Sequence, residues 1–331
     1  MNGLFFLLAA AALAALEPQP LDVLRKSLEP SVASYDGRMI LETFPQTGAA
    51  AKQMRVRFLN PGHYRRELLD ASGKPLQIIV SDGKSEWVYD KTQNKVWQGQ
   101  APDGDYKQFG WEQEYDLLTA NYDVRMASSP PVARRRAWAL ELLSRRDGKI
   151  QRRIWVDKKN GLILQSRIFQ SDGRLVSTAR FASIQFPKKQ DPALFRFEPP
   201  EGATVVKRLE PDYLALDQAK SASGLEPKLP LWLPSGYVFE SLNVLAQGGK
   251  KVIHYRFSDG INVLSLFQCP ARTRLNFGAK ASRRFRLASG PATLAWTSEG
   301  HVLGWSSQGS KFVLISPLDS STLRHVAESL P

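Results

Sequence analysis

The sequence predicts a mainly β, α+β protein in two units: one strongly curved antiparallel sheet or partial barrel, followed by a smaller α+β unit. Three observations carry this. Apolar and polar residues alternate in run after run between residues 53 and 186; Gly-containing turns separate the runs; and stretches with helical spacing are few.

The N-terminus, "MNGLFFLLAAAALAALEPQP", has an apolar stretch from Leu4 to Leu16 and a small-x-small pattern at Ala12-Leu13-Ala14. Thirteen residues fall short of the roughly 20 needed to span a bilayer, so residues 1–16 read as a secretory signal peptide cleaved near Ala14. Its n-region lacks Lys and Arg, and no Cys near the cleavage point indicates a lipid anchor. "PLDVLRKSLE" (20–29) follows as a short helix, with Leu21, Leu24 and Leu28 on one stripe and Pro20 at its start.

From Arg38 the period becomes alternating. "QMRVRFL" (53–59), "HYRRELL" (63–69), "PLQIIVS" (75–81), "SEWVYD" (85–90) and "KVWQG" (95–99) read as a meander joined by "NPG", "ASGK", "SDGK" and "KTQN". "YDLLTANYDVRM" (115–126) reads as a helix or a helix-to-strand transition. Strands resume at 137–143, 151–157, 162–169 and 175–186, giving nine or ten in the first unit, residues 17–210. A linker is expected over 211–228, where Pro211, Gly224 and Pro227 interrupt a polar stretch. The second unit, 229–331, ends in a helix near 318–330 with Asp319 or Ser320 as N-cap.

Lys and Arg number 45 against 32 Asp and Glu, a net charge of +13 that favours an anionic counterpart. Export makes a membrane surface or an acidic protein segment a better counterpart than nucleic acid, which is not expected as a partner. Cys269 is the single cysteine, so no internal disulfide and no cysteine metal cage can form, and a buried thiol is expected. His63, His254, His301 and His325 lack metal-ligand spacing; His63 and His301 read as turn residues. No HExxH, GxSxG or phosphate-cradling loop occurs. The Asp-Gly pairs at Asp36, Asp82, Asp103, Asp147, Asp172 and Asp259 read as turn formers rather than paired catalytic carboxylates. The expectation is a binding protein with no cofactor, no metal and no catalytic residue.

Three groups are candidate binding residues. Met54, Val56, Phe58, Leu68, Ile78, Val80, Trp87 and Tyr89 are apolar strand positions that are either core or the lining of a cavity. The short helices near 20–29 and 115–122, together with a transient apolar guest, are expected to cover the Trp87/Tyr89 face. Arg134, Arg135, Arg136, Arg145, Arg146, Arg152 and Arg153 lie in a stretch, Arg125 to Lys159, holding eleven basic residues against Glu141, Asp147 and Asp157. They form either a solvated rim that protects a sheet edge or an anion-facing surface, since guanidinium forks suit phosphate and carboxylate. In the second unit Trp232, Tyr237 and Phe239 are either core or exposed anchors for a partner.

"IIVSDGKSEWVYD" (78–90) and "FRFEPPEGATV" (195–205) resemble segments of the LolA-like lipoprotein carriers. "LPLWLPSGY", "HYRFSDGINVLSLF" and "KFVLISPLDSSTLRHVAESL" resemble the C-terminal domain of the RseB/MucB regulators of envelope stress, which plain carriers lack. The resemblance implies a LolA-like half-open antiparallel β-barrel with covering helices, able to take lipid or lipoprotein acyl chains, and a C-terminal unit that binds the periplasmic domain of an anti-sigma factor. It implies a periplasmic location. "PVARRRAWALEL" and "RTRLNFGAKASRRFRL" are more basic than that pattern, and a peripheral contact with an anionic membrane surface is a further expectation. The alternative reading is a periplasmic carrier of lipid or lipoprotein between membranes. The sequence holds no internal repeat.

Overall fold

The computed structural model describes residues 18–44, 48–101, 110–170, 172–207, 213–247, 249–275, 282–297 and 300–331. The signal peptide, its cleavage near Ala14 and the Asp103-Gly104 turn lie outside these residues. The chain begins with α1 (Pro20–Leu28), β1 (Ser34–Thr43), β2 (Ala50–Leu59), β3 (His63–Leu69), β4 (Pro75–Asp82), β5 (Ser85–Asp90) and β6 (Lys95–Gln100). It continues with α2 (Trp111–Asn121), β7 (Tyr122–Ala127), β8 (Ala137–Ser144), β9 (Ile150–Asp157), β10 (Ile163–Phe169), β11 (Leu175–Gln185) and β12 (Thr204–Lys207).

These twelve strands form one open sheet in the order β12-β6-β5-β4-β3-β2-β1-β11-β10-β9-β8-β7. All neighbours are antiparallel except β12, which runs parallel to β6. The mainly β architecture expected from alternation is therefore present, and the sheet is open, as the resemblance implies. Strands β1 and β12 are the additions to the sequence reading. Asp36-Gly37 lies inside β1 and is no turn. Gly37 is required there because a Cβ would meet the Phe181 ring at 2.7 Å, while Asp36 pairs with Arg55 and Arg57.

Cross-strand register decides which side chains share a face. Tyr35, Met39, Met54, Phe58, Tyr64 and Leu68 fall on one face, together with Met126, Leu140 and Ile154 farther along the sheet. Helices α1 and α2 cover the far part of this helix face: Val23, Leu24 and Leu118 are buried against Tyr122, Leu140, Leu142, Ile154 and Val156. Pro20 opens α1 because its missing N–H costs nothing in a first turn.

On the opposite face, register aligns Arg125, Glu141, Arg153 and Arg167 in one row, Trp155, Gln165 and Arg180 in a second, and Arg38, Arg55 and Glu67 in a third. This arginine face turns apolar at β4–β6, where Ile78, Val80, Tyr89 and Val96 are buried beneath Phe197 and Ala203. The cover of the Trp87/Tyr89 face is thus not the two helices. It is the chain's own segment 192–203, whose 3-10 turn Pro192–Phe195 leaves Phe195 fully buried. Phe197 lies 6.5 Å from the Trp87 ring and 5.8 Å from that of Tyr89. The sequence expectation fails because a period-2 strand shows that two faces exist without showing which distant segment returns to each.

The second sheet comprises β13 (Val238–Gln247), β14 (Lys250–Ser258), β15 (Val263–Pro270), β16 (Ser282–Leu287), β17 (Gly290–Thr297), β18 (Gly300–Ser307) and β19 (Ser310–Ser316). It is antiparallel in the order β13-β14-β15-β19-β18-β17-β16. A short helix, α3 (Ala219–Ser223), precedes it and α4 (Ser320–Glu328) follows, capped by Asp319, whose carboxylate accepts from the Thr322 N–H at 2.9 Å. Tyr255, Phe257, Leu264, Leu303, Phe312 and Leu323 make its core. Within the stretch read as linker, Ala219 is buried in this core and Leu214 and Leu225 pack on it. Buried Gln268 fastens the same stretch, accepting from the Lys228 N–H and the Tyr255 hydroxyl and donating to the Glu226 carbonyl. Cys269 is buried, and burial raises its thiol pKa.

Candidate functional site

The eight apolar candidates do not share one surface. Met54, Phe58 and Leu68, half-buried, and Val56, buried, lie on the helix face. Ile78, Val80, Trp87 and Tyr89 lie on the other face, sealed by residues 195–203. Leu68 pairs directly with Met54, which pairs with Met39, so a band of flexible apolar side chains crosses β3, β2 and β1. Tyr35 stacks on Phe58 at 5.3 Å and meets Phe181 edge-on at 5.9 Å, closing one end of the band. Met54 and Leu68 join no described core cluster.

The seven arginines are likewise dispersed. Arg134 and Arg136 are exposed beside Lys158 and Lys159 before β8, whereas Arg145 and Arg146 are exposed after it. Arg145 pairs with Asp123 at 3.2 Å. Arg152 lies on the helix face, where its Nε donates to Ser166 Oγ at 3.2 Å. Desolvation lowers its pKa from the ordinary arginine value, and the nearby Glu114 carboxylate opposes that shift. Arg153 is on the opposite face, paired with Glu141. Strand alternation alone separates Arg152 from Arg153.

Arg135 is structural. Its guanidinium holds the Asp157 carboxylate, which is 1% exposed and also accepts from the Lys159 and Asn160 N–H groups. Burial alone would raise the Asp157 pKa, but the bonds from Arg135 and the two amides outweigh it and hold the carboxyl below its ordinary value. A folded-state pKa below the unfolded one gives stability that is present above pH ~4 and is lost on acidification through the folded value. Asp157→Asn should therefore cost about 2 kcal/mol at pH 7. It should also flatten the acid limb of a melting-temperature profile between about pH 5 and 2; an unchanged limb would show that the pair carries no acid sensitivity.

A second constellation joins the two sheets, and no local sequence signal marks it. Asn121, at the end of α2, donates through Nδ2 to the carbonyls of Gly236 (2.9 Å) and Asp259 (3.1 Å). Asn262 Nδ2 donates to the Tyr122 hydroxyl at 3.3 Å. Ile261 packs into the α1/α2 core, and Gly260 approaches Leu118 so closely that a Cβ would lie 2.9 Å from its Cδ2. The Asp259 carboxylate receives the Ile261 and Asn262 N–H groups, and burial and its charge raise the pKa of both Tyr122 and Tyr237. A cleft of about 190 Å³ opens here, lined by Asn121, Tyr122, Arg145, Arg146, Ser235 and Asp259.

Of the second-unit candidates, Tyr237 is buried at this junction. Trp232 and Phe239 are 37% and 41% exposed. Trp232 stacks on His325 of α4 at 4.1 Å, and Phe239 rests edge-on against Phe257. Trp232 and Phe239 remain available as anchors and Tyr237 does not. The histidines hold local contacts: His63 Nδ1 meets the Pro61 carbonyl and His301, inside β18, meets that of Leu318.

The chain matches the MucB/RseB N-terminal domain family over residues 31–200. No curated protein sequence matches it. Among solved structures, MucB in the Pseudomonas aeruginosa MucA/MucB complex aligns with 94% of this chain and 98% of its own, at 17% identity and a TM-score of 0.61. MucB in complex with MucA(peri) covers 94% and 97% at 17% identity and a TM-score of 0.58. MucB alone covers 94% and 96% at 16% identity and a TM-score of 0.52. At such identities these likenesses establish a shared fold, extending over both sheets. The family match itself spans just over half of the 331 residues, and the chain belongs to the MucB/RseB family.

Proposed function

We propose that the chain is a periplasmic regulator that binds the periplasmic part of a membrane-bound anti-sigma factor and releases it when an acyl chain enters the first unit. The observation that carries the reading is family membership combined with full-length likeness to MucB as it occurs with MucA. It acts by binding rather than catalysis. Among the described residues no group of three His, Cys, Asp or Glu could hold a metal, and no helix is long and apolar enough to cross a membrane.

The acyl site is assigned to the helix face at Met39, Met54, Phe58 and Leu68. Each buried CH₂ contributes about 0.8 kcal/mol, so a long chain supplies on the order of 10 kcal/mol before ordering costs. Trp232, Phe239 and the junction at Asn121 and Asp259 are assigned to the anti-sigma segment. A guest on this face would act on the junction through the sheet and α2, whose Leu118 meets Gly260 and whose following residue Tyr122 meets Asn262, and by linkage each ligand weakens the other's affinity.

The test measures affinity for the anti-sigma periplasmic segment with and without an acylated peptide. Acylated peptide should weaken it about tenfold, a coupling of about 1.4 kcal/mol. Met54→Glu with Leu68→Glu should abolish that effect while leaving the segment's affinity intact. An unchanged affinity with acylated peptide would remove the sensing step, and absence of segment binding would remove the regulator.

A further inference from the structure

On the arginine face, the loop Pro130–Ala133 and strands β9–β11 enclose a cleft of about 340 Å³ that includes Arg153, Trp155, Gln165, Arg167 and Arg180. Arg153 and Arg167 stand directly opposite each other in the β9/β10 register, where like charges are destabilising. Arg180 is register-paired with Gln165 across β10 and β11. The Arg153 and Arg167 guanidinium carbons lie 6.0 and 5.2 Å from the centre of the Trp155 ring. One carboxylate, Glu141, answers this group through Arg153, and Arg125 is register-paired with that same Glu141.

Three donors on residues that line the cleft are unpartnered. Arg153 Nε, Arg167 Nε and Trp155 Nε1 are buried and have no hydrogen-bond partner. A buried donor without an acceptor is destabilising, and all three belong to residues lining a cleft in which the charges of Arg167 and Arg180 have no carboxylate partner among the described residues. Elsewhere on the same face Arg55 and Arg57 are answered by Asp36, and Arg57 and Arg65 by Glu67.

We propose that this cleft binds a phosphate group. Three guanidinium groups, an indole N–H and a carboxamide exceed what the two oxygens and single charge of a carboxylate can use. They suit a phosphate monoester, with a charge near −2 and three acceptor oxygens. Trp155 supplies a flat floor over which guanidinium groups stack, holding their forks in place. The site lies on the face opposite the acyl site and does not depend on the anti-sigma reading.

The test uses the full mature chain in chloride buffer at constant ionic strength. Inorganic phosphate should raise the melting temperature in a saturable way, and Arg167→Gln and Arg180→Gln should each weaken that response at least tenfold. Without phosphate both variants should melt at or above the parent temperature, because each removes a like charge; lower melting would mark the arginines as structural and overturn the proposal. Vesicles of phosphatidylcholine with phosphatidic acid separate the sources. Capture that Arg167→Gln abolishes assigns the phosphate to a lipid headgroup, and a response to free phosphate alone assigns it to a soluble species. No saturable response in either arm would overturn the site, as would a response to polyglutamate with none to phosphate, which would give the cleft to an acidic protein segment.

Discussion

Phe195→Ala is expected to lower the unfolding free energy by about 3–5 kcal/mol, the range for emptying a buried aromatic site. Phe195 is fully buried in the 3-10 turn that crosses β3 and β4. Its ring meets His63 edge-on at 5.9 Å, and Arg65 reaches the neighbouring Leu194 carbonyl. Just beyond it, Phe197 and Ala203 lie over Ile78, Val80, Tyr89 and Val96. Loss of the anchor should loosen the whole cover, so the urea midpoint should fall and amides of β4 and β5 should exchange faster. A change below about 1 kcal/mol would mean that the segment is not a fixed lid, and the Trp87/Tyr89 face would return as a place for a guest.

Gly161→Ala should be comparably damaging, at about 3 kcal/mol or more. Gly161 has φ +81°, a left-handed conformation that costs an L side chain about 1–2 kcal/mol. A Cβ there would lie 2.8 Å from Lys26 Cγ and closer still to the Lys26 carbonyl oxygen, which is backbone and cannot rotate away. Helix α1 would have to lift, along with Val23 and Leu24, which are 1% exposed, and the bond from Lys26 Nζ to the Lys158 carbonyl. Hydrogen exchange across residues 20–28 reads the displacement directly. Unchanged protection there would show that α1 is not clamped by the β9–β10 turn.

Much of the fold was legible because its signals are local. Alternation in "QMRVRFL" and "SEWVYD" marks β2 and β5, Pro20 marks the start of α1, and Asp319 caps α4 as its position before an amphipathic run requires. The candidate sites were less legible because they depend on register between distant strands. Met54 and Ile78 have the same chemistry and both alternate, yet the pairing of Leu68 with Gln77 puts them on opposite faces. Arg152 and Arg153 are adjacent in sequence and are separated by the thickness of the sheet. Asn121 looked like an ordinary helix terminus; its value lies in the carbonyls of Gly236 and Asp259, more than a hundred residues away. Arg167 and Arg180 carried no mark of their own and became a group only through the β10/β11 pairing.

The strand order has a consequence for how the protein is made. β1 to β6 are consecutive neighbours, and so are β7 to β11, so each half of the large sheet can assemble from hairpins in the order in which the chain is made. The halves meet at a single seam, β1 against β11, whose partners Asp36 and Gln185 bracket nearly the whole unit. The final strand, β12, must then return to β6 across about a hundred residues. High contact order concentrated in these two joins makes them the slow steps of maturation. Until both form, β1 and β6 are unpaired edges, which is when a newly made chain most needs a holding chaperone.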